Sequence, residues 1–277
     1  MADSAADGPL ESAIRSTVAD AAIARNAAAQ EVDLEALNAG AEVQVDLLNP
    51  AADSEETGQR KLVAFGLSLV FYLVSMIFGM QIAQSVVTEK ESRVVEILAA
   101  AIPTRALLWG KIAGNTLLAL GQVVILVGGG LAIFALLGND TLLAGVGPAM
   151  AWFVAFFALG FIALAALWSA AGALASRVQD VASTTMPLQM VLLVGYMLGA
   201  FTDGLALDIA SQVPVFSAMV MPGRLAYDDV ALWEILLSLA LNAVAAVLLV
   251  RLGARIYDAN LMQTSRKIGF GEALRRR

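Results

Sequence analysis

Along most of the chain, long runs with an apolar residue on every helical face alternate with short polar segments. Five runs, at 62–84, 112–137, 150–175, 181–201 and 232–250, are each long enough to cross a hydrocarbon core about 30 Å thick at about 1.5 Å per residue. Four contain no Asp, Glu, Lys or Arg, and the last contains Glu234 near its start. A soluble core helix of this length would show a charged face every few residues. The pattern therefore predicts an all-α polytopic membrane protein with five transmembrane helices.

Two intervening segments have their own pattern. Residues 88–111 read TEKESRVVEILAAAIPTRALLWGK. Glu89 and Arg93 stand four apart in the favourable order and Val94, Ile97 and Leu98 form one apolar stripe, so 89–101 is predicted to be an amphipathic helix ended by Pro103. Such a helix has two uses: lying in the headgroup layer, or presenting its charged edge to a cytoplasmic protein. Residues 213–224 read VPVFSAMVMPGR, an apolar dozen punctuated by Pro214 and Pro222 and closed by Arg224. It is too short to span and too apolar to be simply solvated, which predicts a short re-entrant or interfacial turn in the outer leaflet. An extracellular gate and plain interfacial packing both fit it.

Charge divides the chain. Residues 1–59 hold twelve acids and two arginines, whereas 60–277 carry a small net positive charge within a chain of formal net charge -7. The first part is predicted to be a helix carrying Ile14, Val18, Ala21 and Ala22, then a strand with Val43, Val45 and Leu47. It has too few large apolar residues for a core of its own. The end of a larger extracytoplasmic domain and an acidic tail are both consistent with it. The domain division is thus 1–59, an acidic extracytoplasmic segment, and 60–277, a transmembrane domain.

Orientation follows from the loops. Lys90, Arg93, Arg105, Lys111, Arg177, Arg251, Arg255, Arg266, Lys267 and Arg275 to Arg277 all fall on one side, while the alternate loops hold only Arg224. Positive residues are retained in the cytoplasm. This places the C-terminus in the cytoplasm and 1–59 outside a plasma (inner) membrane. The opening MADSAADGPLES has neither a basic start nor an apolar stretch and does not read as a signal peptide. Either a membrane span upstream of Met1 is missing, or the first run and its flanks carry the tail across.

Composition narrows the chemistry. The chain is 59% hydrophobic and 15% charged, with no Cys and no His. No thiolate or imidazole metal site and no Cys- or His-dependent nucleophile can be assembled, and no basic stripe suggests nucleic acid. Polar residues within the runs are sparse: Ser68, Ser75, Gln81, Asn115, Gln122, Ser169, Thr184, Thr185, Gln189 and Asn242. None is the titratable relay an ion-coupled carrier normally keeps. Small residues four apart, Gly110 with Gly114, Ser169 with Ala173 and Gly195 with Gly199, are predicted helix contacts.

The stretch 81–111, with VVTEKESRVVEIL followed by AIPTRALLWGKIAG, resembles the signature of bacterial type 2 ABC transporter permeases, in particular their NatB-like branch. The likeness continues around Pro222, Gly223 and Arg224 and in ARIYDANLM after the last run, and covers about residues 60–262. Members have six spans with a large extracytoplasmic domain between the first two, so the resemblance implies that the first span is absent here. It also implies a permease subunit of an exporter that forms the translocation path and is driven by ATP hydrolysis on a separate cytoplasmic ABC ATPase. The working unit would hold a second permease copy, identical or not.

On this resemblance 89–98 becomes the coupling helix, with Glu89, Lys90, Glu91, Arg93 and Glu96 as the ATPase contact. ATP and Mg would sit on the partner, since no G-x-x-x-x-G-K-[ST] run occurs in this sequence. Two rival classes remain at this level: a membrane protein of structural or assembly role that moves nothing, and an ion-coupled secondary transporter. The second would want broken helices in related halves, and no such repeat is visible.

Overall fold

The computed structural model of the chain describes residues 9–30, 55–138 and 140–261. It forms two units, Met1–Pro50 and Ala51–Arg277. In the first, α1 (Pro9–Ala29) is the helix expected from Ile14, Val18, Ala21 and Ala22. The strand expected at 43–47 lies outside the described residues.

The second unit is helical throughout its described residues: α2 (Glu55–Glu91), α3 (Val94–Ala101), α4 (Thr104–Leu136), α5 (Asp140–Leu174), α6 (Val181–Phe201), α7 (Leu205–Ala210), α8 (Ser217–Arg224) and α9 (Leu232–Asn260). Helices α2, α4, α5, α6 and α9 are long and apolar enough to cross a membrane. Each of the five predicted runs falls in one of them, two running one residue past the helix end, at Leu137 and Ala175. Several helices outrun the apolar stretch that announced them. Backbone hydrogen bonding continues through charged residues once a helix is established, so α2, with 37 residues, is about 55 Å long.

Helix α5 is the hub, packed against α2, α4, α6, α8 and α9. Its buried positions include Phe153, Phe156, Phe157, Phe161, Leu164 and Trp168. Close approach is secured by glycine. A Cβ on Gly172 would stand 2.6 Å from the Ala83 carbonyl oxygen of α2, and one on Gly253 of α9 would stand 2.7 Å from that of Ala166 in α5. Backbones this near gain dispersion contacts that lipid cannot supply. Of the predicted small-residue contacts, Ser169 and Ala173 are buried, and Gly195 and Gly199 face Met219 and Ser68. Gly110 and Gly114 differ: both are exposed on α4 and meet nothing within 4 Å.

Candidate functional site at the two ends of the bundle

At the end rich in Lys and Arg, α2 stops at Glu91 and not at 101. Ser92 closes the last turn through its backbone N–H and its hydroxyl, both bonded to the Thr88 carbonyl, at 3.0 and 2.7 Å. Arg93 then adopts a left-handed conformation (φ 59°), and the chain turns into the short helix α3. The single amphipathic helix expected over 89–101 is therefore two pieces. Glu89, Lys90 and Glu91 belong to the end of a span; Arg93 and Glu96 belong to the turn and helix beyond it.

The roles of the five residues separate accordingly. Glu89 does not pair with Arg93: its Oε1 accepts from Lys111 Nζ of α4 at 2.5 Å, and that ammonium also donates to Ser85 Oγ at 2.8 Å. Glu91 Oε2 accepts the Val178 backbone N–H at 3.3 Å, beside the turn leading into α6. Arg93 and Glu96 are exposed, and among the described residues neither has a charged partner. On α3, Val95 is buried and Leu98 partly so, while Val94 and Ile97 are exposed, the latter at 73%. Of the predicted stripe only Leu98 seats partly on the bundle, while Val94 and Ile97 face away and the residue that seats fully is Val95, beside the stripe.

Lys90 departs most from expectation, being 1% exposed. Its Nζ donates to three backbone carbonyls, Ala173 at 2.6 Å, Ala175 at 3.1 Å and Asn260 at 3.0 Å. Ala173 and Ala175 close α5, and Asn260 is the last residue of α9. Terminal carbonyls have no partner within their own helix and carry the negative end of its dipole. An ammonium with three donors fits three of them. The sequence held a signal for this: Lys90 continues the buried stripe of Ile82, Ala83, Val86 and Val87 at helical spacing.

The opposite end is acidic. The segment with Pro214 and Pro222 forms a turn and the short helix α8, packed among the spans. Helix α8 lies against α2, α5, α6 and α9, and Ser217 to Gly223 are all buried by protein. Pro222 is inside α8, and Ser68 Oγ of α2 donates to the Met219 carbonyl at 3.1 Å. Pro214 precedes Val215, which takes φ 75°, a rare conformation for a β-branched residue. Val215 is held there by Asn242 of α9, whose Oδ1 accepts the Val215 N–H at 3.1 Å while its Nδ2 donates to Ser217 Oγ and to the Ser238 carbonyl.

Arg224, at the end of α8, gathers the rest. Its guanidinium lies 3.1 Å from Asp208, 3.1 Å from Glu234 and 3.6 Å from Asp228, and Nη1 also donates to Ser211 Oγ at 3.3 Å. Burial pushes the Asp228 carboxyl above the usual range and Asp208 adds to the rise, against the opposing pull of Arg224. Lys61, at the start of α2, is 3.6 Å from Asp203 and 5.6 Å from the Tyr227 ring centroid, so this end also holds cations that precede the first run. The sequence marked Arg224 but not its partners. Asn242 stands out in the sequence only as a sparse polar residue.

Among the described residues no three acidic side chains cluster as a metal site would require. Chemically, then, the two ends offer hydrogen-bonded clamps between helices, plus one exposed, part-apolar helix between two spans.

Comparison with known proteins places this architecture. The chain is 28% identical over 233 residues to the uncharacterized protein YhaP of Bacillus subtilis, covering 79% of this chain and 56% of that one. It is 26% identical over 223 residues to an uncharacterized protein of Methanocaldococcus jannaschii, covering 75% of this chain and 53% of the other. The chain thus spans about half the length of these curated relatives. No solved structure matches it. The family model described as ABC-2 family transporter protein matches residues 3–255, and the chain belongs to that family.

Proposed function

We propose that this chain is the transmembrane permease subunit of an ATP-driven ABC exporter in the plasma membrane, with its C-terminus cytoplasmic and residues 1–59 on the other side. A separate cytoplasmic ABC ATPase would bind ATP and Mg and hydrolyse the nucleotide. Family membership supports the permease role. The observation that carries the coupling is α3. It is braced at its root by the Glu89–Lys111 pair and the Lys90 clamp, and it leaves Val94, Glu96 and Ile97 exposed.

A push on α3 would therefore reach α2, α4, α5 and α9 through hydrogen-bonded and packed side chains. In this reading Arg93, Val94, Glu96 and Ile97 touch the ATPase, while Glu89, Lys90 and Glu91 transmit the load. A second permease copy completes the path, consistent with an interior filled by Phe71, Phe153, Phe157 and Trp168.

The test is co-purification with the cognate ABC ATPase subunit, with stimulation of ATP hydrolysis as the second readout. Glu96→Lys combined with Ile97→Glu should lower both at least tenfold at equal membrane expression, a loss of about 1.4 kcal/mol or more of contact energy. The altered side chains are exposed, so folding should persist. Unchanged binding and stimulation would assign α3 to the headgroup layer and move the coupling elsewhere, for instance to the basic segment 251–277.

A further inference from the structure

At the basic end the first turns of α4 run beside the last turns of α9. Arg105 and Trp109 lie one turn apart on α4; Arg251 and Arg255 lie one turn apart on α9, with Asp258 following. Together they line a cleft of about 700 Å³, within the range of roughly 300–1,000 Å³ typical of small-ligand sites. Arg105 Nε is engaged by Asp258 Oδ2 at 3.3 Å. Among the described residues Arg251 and Arg255 have no acidic partner, so the cleft holds three guanidiniums and one carboxylate, which engages Arg105.

Position sets the ligand. Arg251 follows Val250, the last residue of the apolar run, which puts the guanidiniums where hydrocarbon gives way to headgroups. Trp109 is 53% exposed at the cleft, and indole favours that same boundary. Farther along, α4 and α9 carry exposed Leu117, Ile125, Val247 and Leu248, apolar surface suited to lipid chains. Basic pockets between transmembrane helices at this level suit lipid phosphates.

We propose that this cleft binds the headgroup of an anionic phospholipid. Arg251 and Arg255 take the phosphate, since guanidinium matches its oxygens two at a time, and Arg105 shares itself between the phosphate and Asp258. Trp109 and Val250 lie against the glycerol and the first methylenes. The site is separate from α3, and its occupancy does not depend on what the protein moves.

The experiment is native mass spectrometry of the purified protein extracted from nanodiscs of phosphatidylcholine alone or mixed with phosphatidylglycerol. The wild type should retain phosphatidylglycerol over phosphatidylcholine. Each of Arg251→Gln and Arg255→Gln should cut that retention roughly fivefold, and the triple change with Arg105→Gln roughly a hundredfold. The charge-keeping triple change to Lys should stay within a few-fold of wild type, and it keeps the test decisive if the Gln triple does not fold.

Glycerol 3-phosphate in excess should leave the lipid bound, because it lacks the acyl chains that seat on Trp109. Displacement by it would make this a site for free phosphate esters and overturn the lipid assignment. Equal retention by wild type and the Gln triple would also overturn it, as would loss of ATPase binding or of self-association in that triple with lipid retention intact.

Discussion

Each end of this bundle buries a cation, and the two are neutralised in different ways. Lys90 sits among three backbone carbonyls at the ends of α5 and α9, with no ion-paired carboxylate among the described residues. Arg224 sits among three carboxylates and a serine hydroxyl, with its side chain 13% exposed. The difference follows from what each cation joins. Carbonyl dipoles are fixed by the helices that bear them, so Lys90 clamps α2 onto the backbone ends of two other helices, indifferent to acid. Carboxylates titrate and move, so Arg224 holds together a short helix, a loop and the start of α9 in a way that pH and salt can loosen. On the proposed function, the rigid clamp stands beside the helix that would take the ATPase's push, and the adjustable one stands where cargo would leave.

Removing Lys90 is the severest way to break this comparison. Lys90→Met keeps the length and apolar stem but leaves three buried carbonyls without a donor, at a cost of about 4 kcal/mol. Thermal unfolding in detergent should show the largest drop of any single change named here. A loss below about 1 kcal/mol would mean that the carbonyls find other donors. Arg224→Gln should cost less, about 2 kcal/mol, because Asp208 and Asp228 are close to half exposed and water can take over part of the charge.

Reciprocal exchange sharpens the contrast. Arg224→Lys should lose about 1 kcal/mol, since one ammonium cannot span acids on three segments. Lys90→Arg should lose more than that, because a planar guanidinium is too large for a closed three-carbonyl socket. Both are read as unfolding midpoints at equal lipid content. If the two exchanges were equally mild, the two sites would differ in composition only and not in what they require.

The two clamps also show what the sequence carries and what it hides. The spans were legible because lipid imposes an apolar surface on a whole helix, a signal that needs no knowledge of neighbours. Boundaries in charged segments were not: the break at Ser92 and Arg93 rests on a left-handed backbone that no residue preference announces. Which span becomes the hub was equally hidden. Helices α4 and α5 are similarly apolar, yet 11% of the most apolar stretch of α4 is buried against 56% for α5. Facing a lipid tail or another helix calls for the same kind of side chain, and only small residues at close approaches separate the two. Gly172 does so, whereas Gly110 and Gly114 have the spacing without the contact.

Lys90 was misplaced for a related reason. A charge beyond the end of an apolar run normally means solvent, and its partners are backbone atoms, which sequence does not distinguish. The segment around Pro214 and Pro222 was recognised as unusual, but its burial depends on Asn242 and Ser238, one turn apart on α9 and facing it. Ser238 Oγ donates to the Ser211 carbonyl at 2.7 Å, fixing the turn that leads into the segment.

The smallest expected effect tests the titratable half of the comparison. Burial and the neighbouring Asp208 raise the Asp228 carboxyl above its unfolded value, and Arg224 only partly offsets them. A carboxyl whose folded value is raised favours the folded state on the acid side. That contribution is fully present below the unfolded value near about pH 3.9 and is lost as pH rises through the folded value. At neutral pH the ionised group is thus a small net cost. Asp228→Asn removes the charge and should raise the unfolding midpoint at pH 7 by an amount worth a few tenths of a kcal/mol, kept small by exposure and salt. Toward pH 4 the difference between variant and wild type should shrink, because the wild type is by then increasingly protonated. A variant less stable than wild type at neutral pH would show that Arg224 needs all three carboxylates, and the acidic clamp would then be as exacting as the one around Lys90.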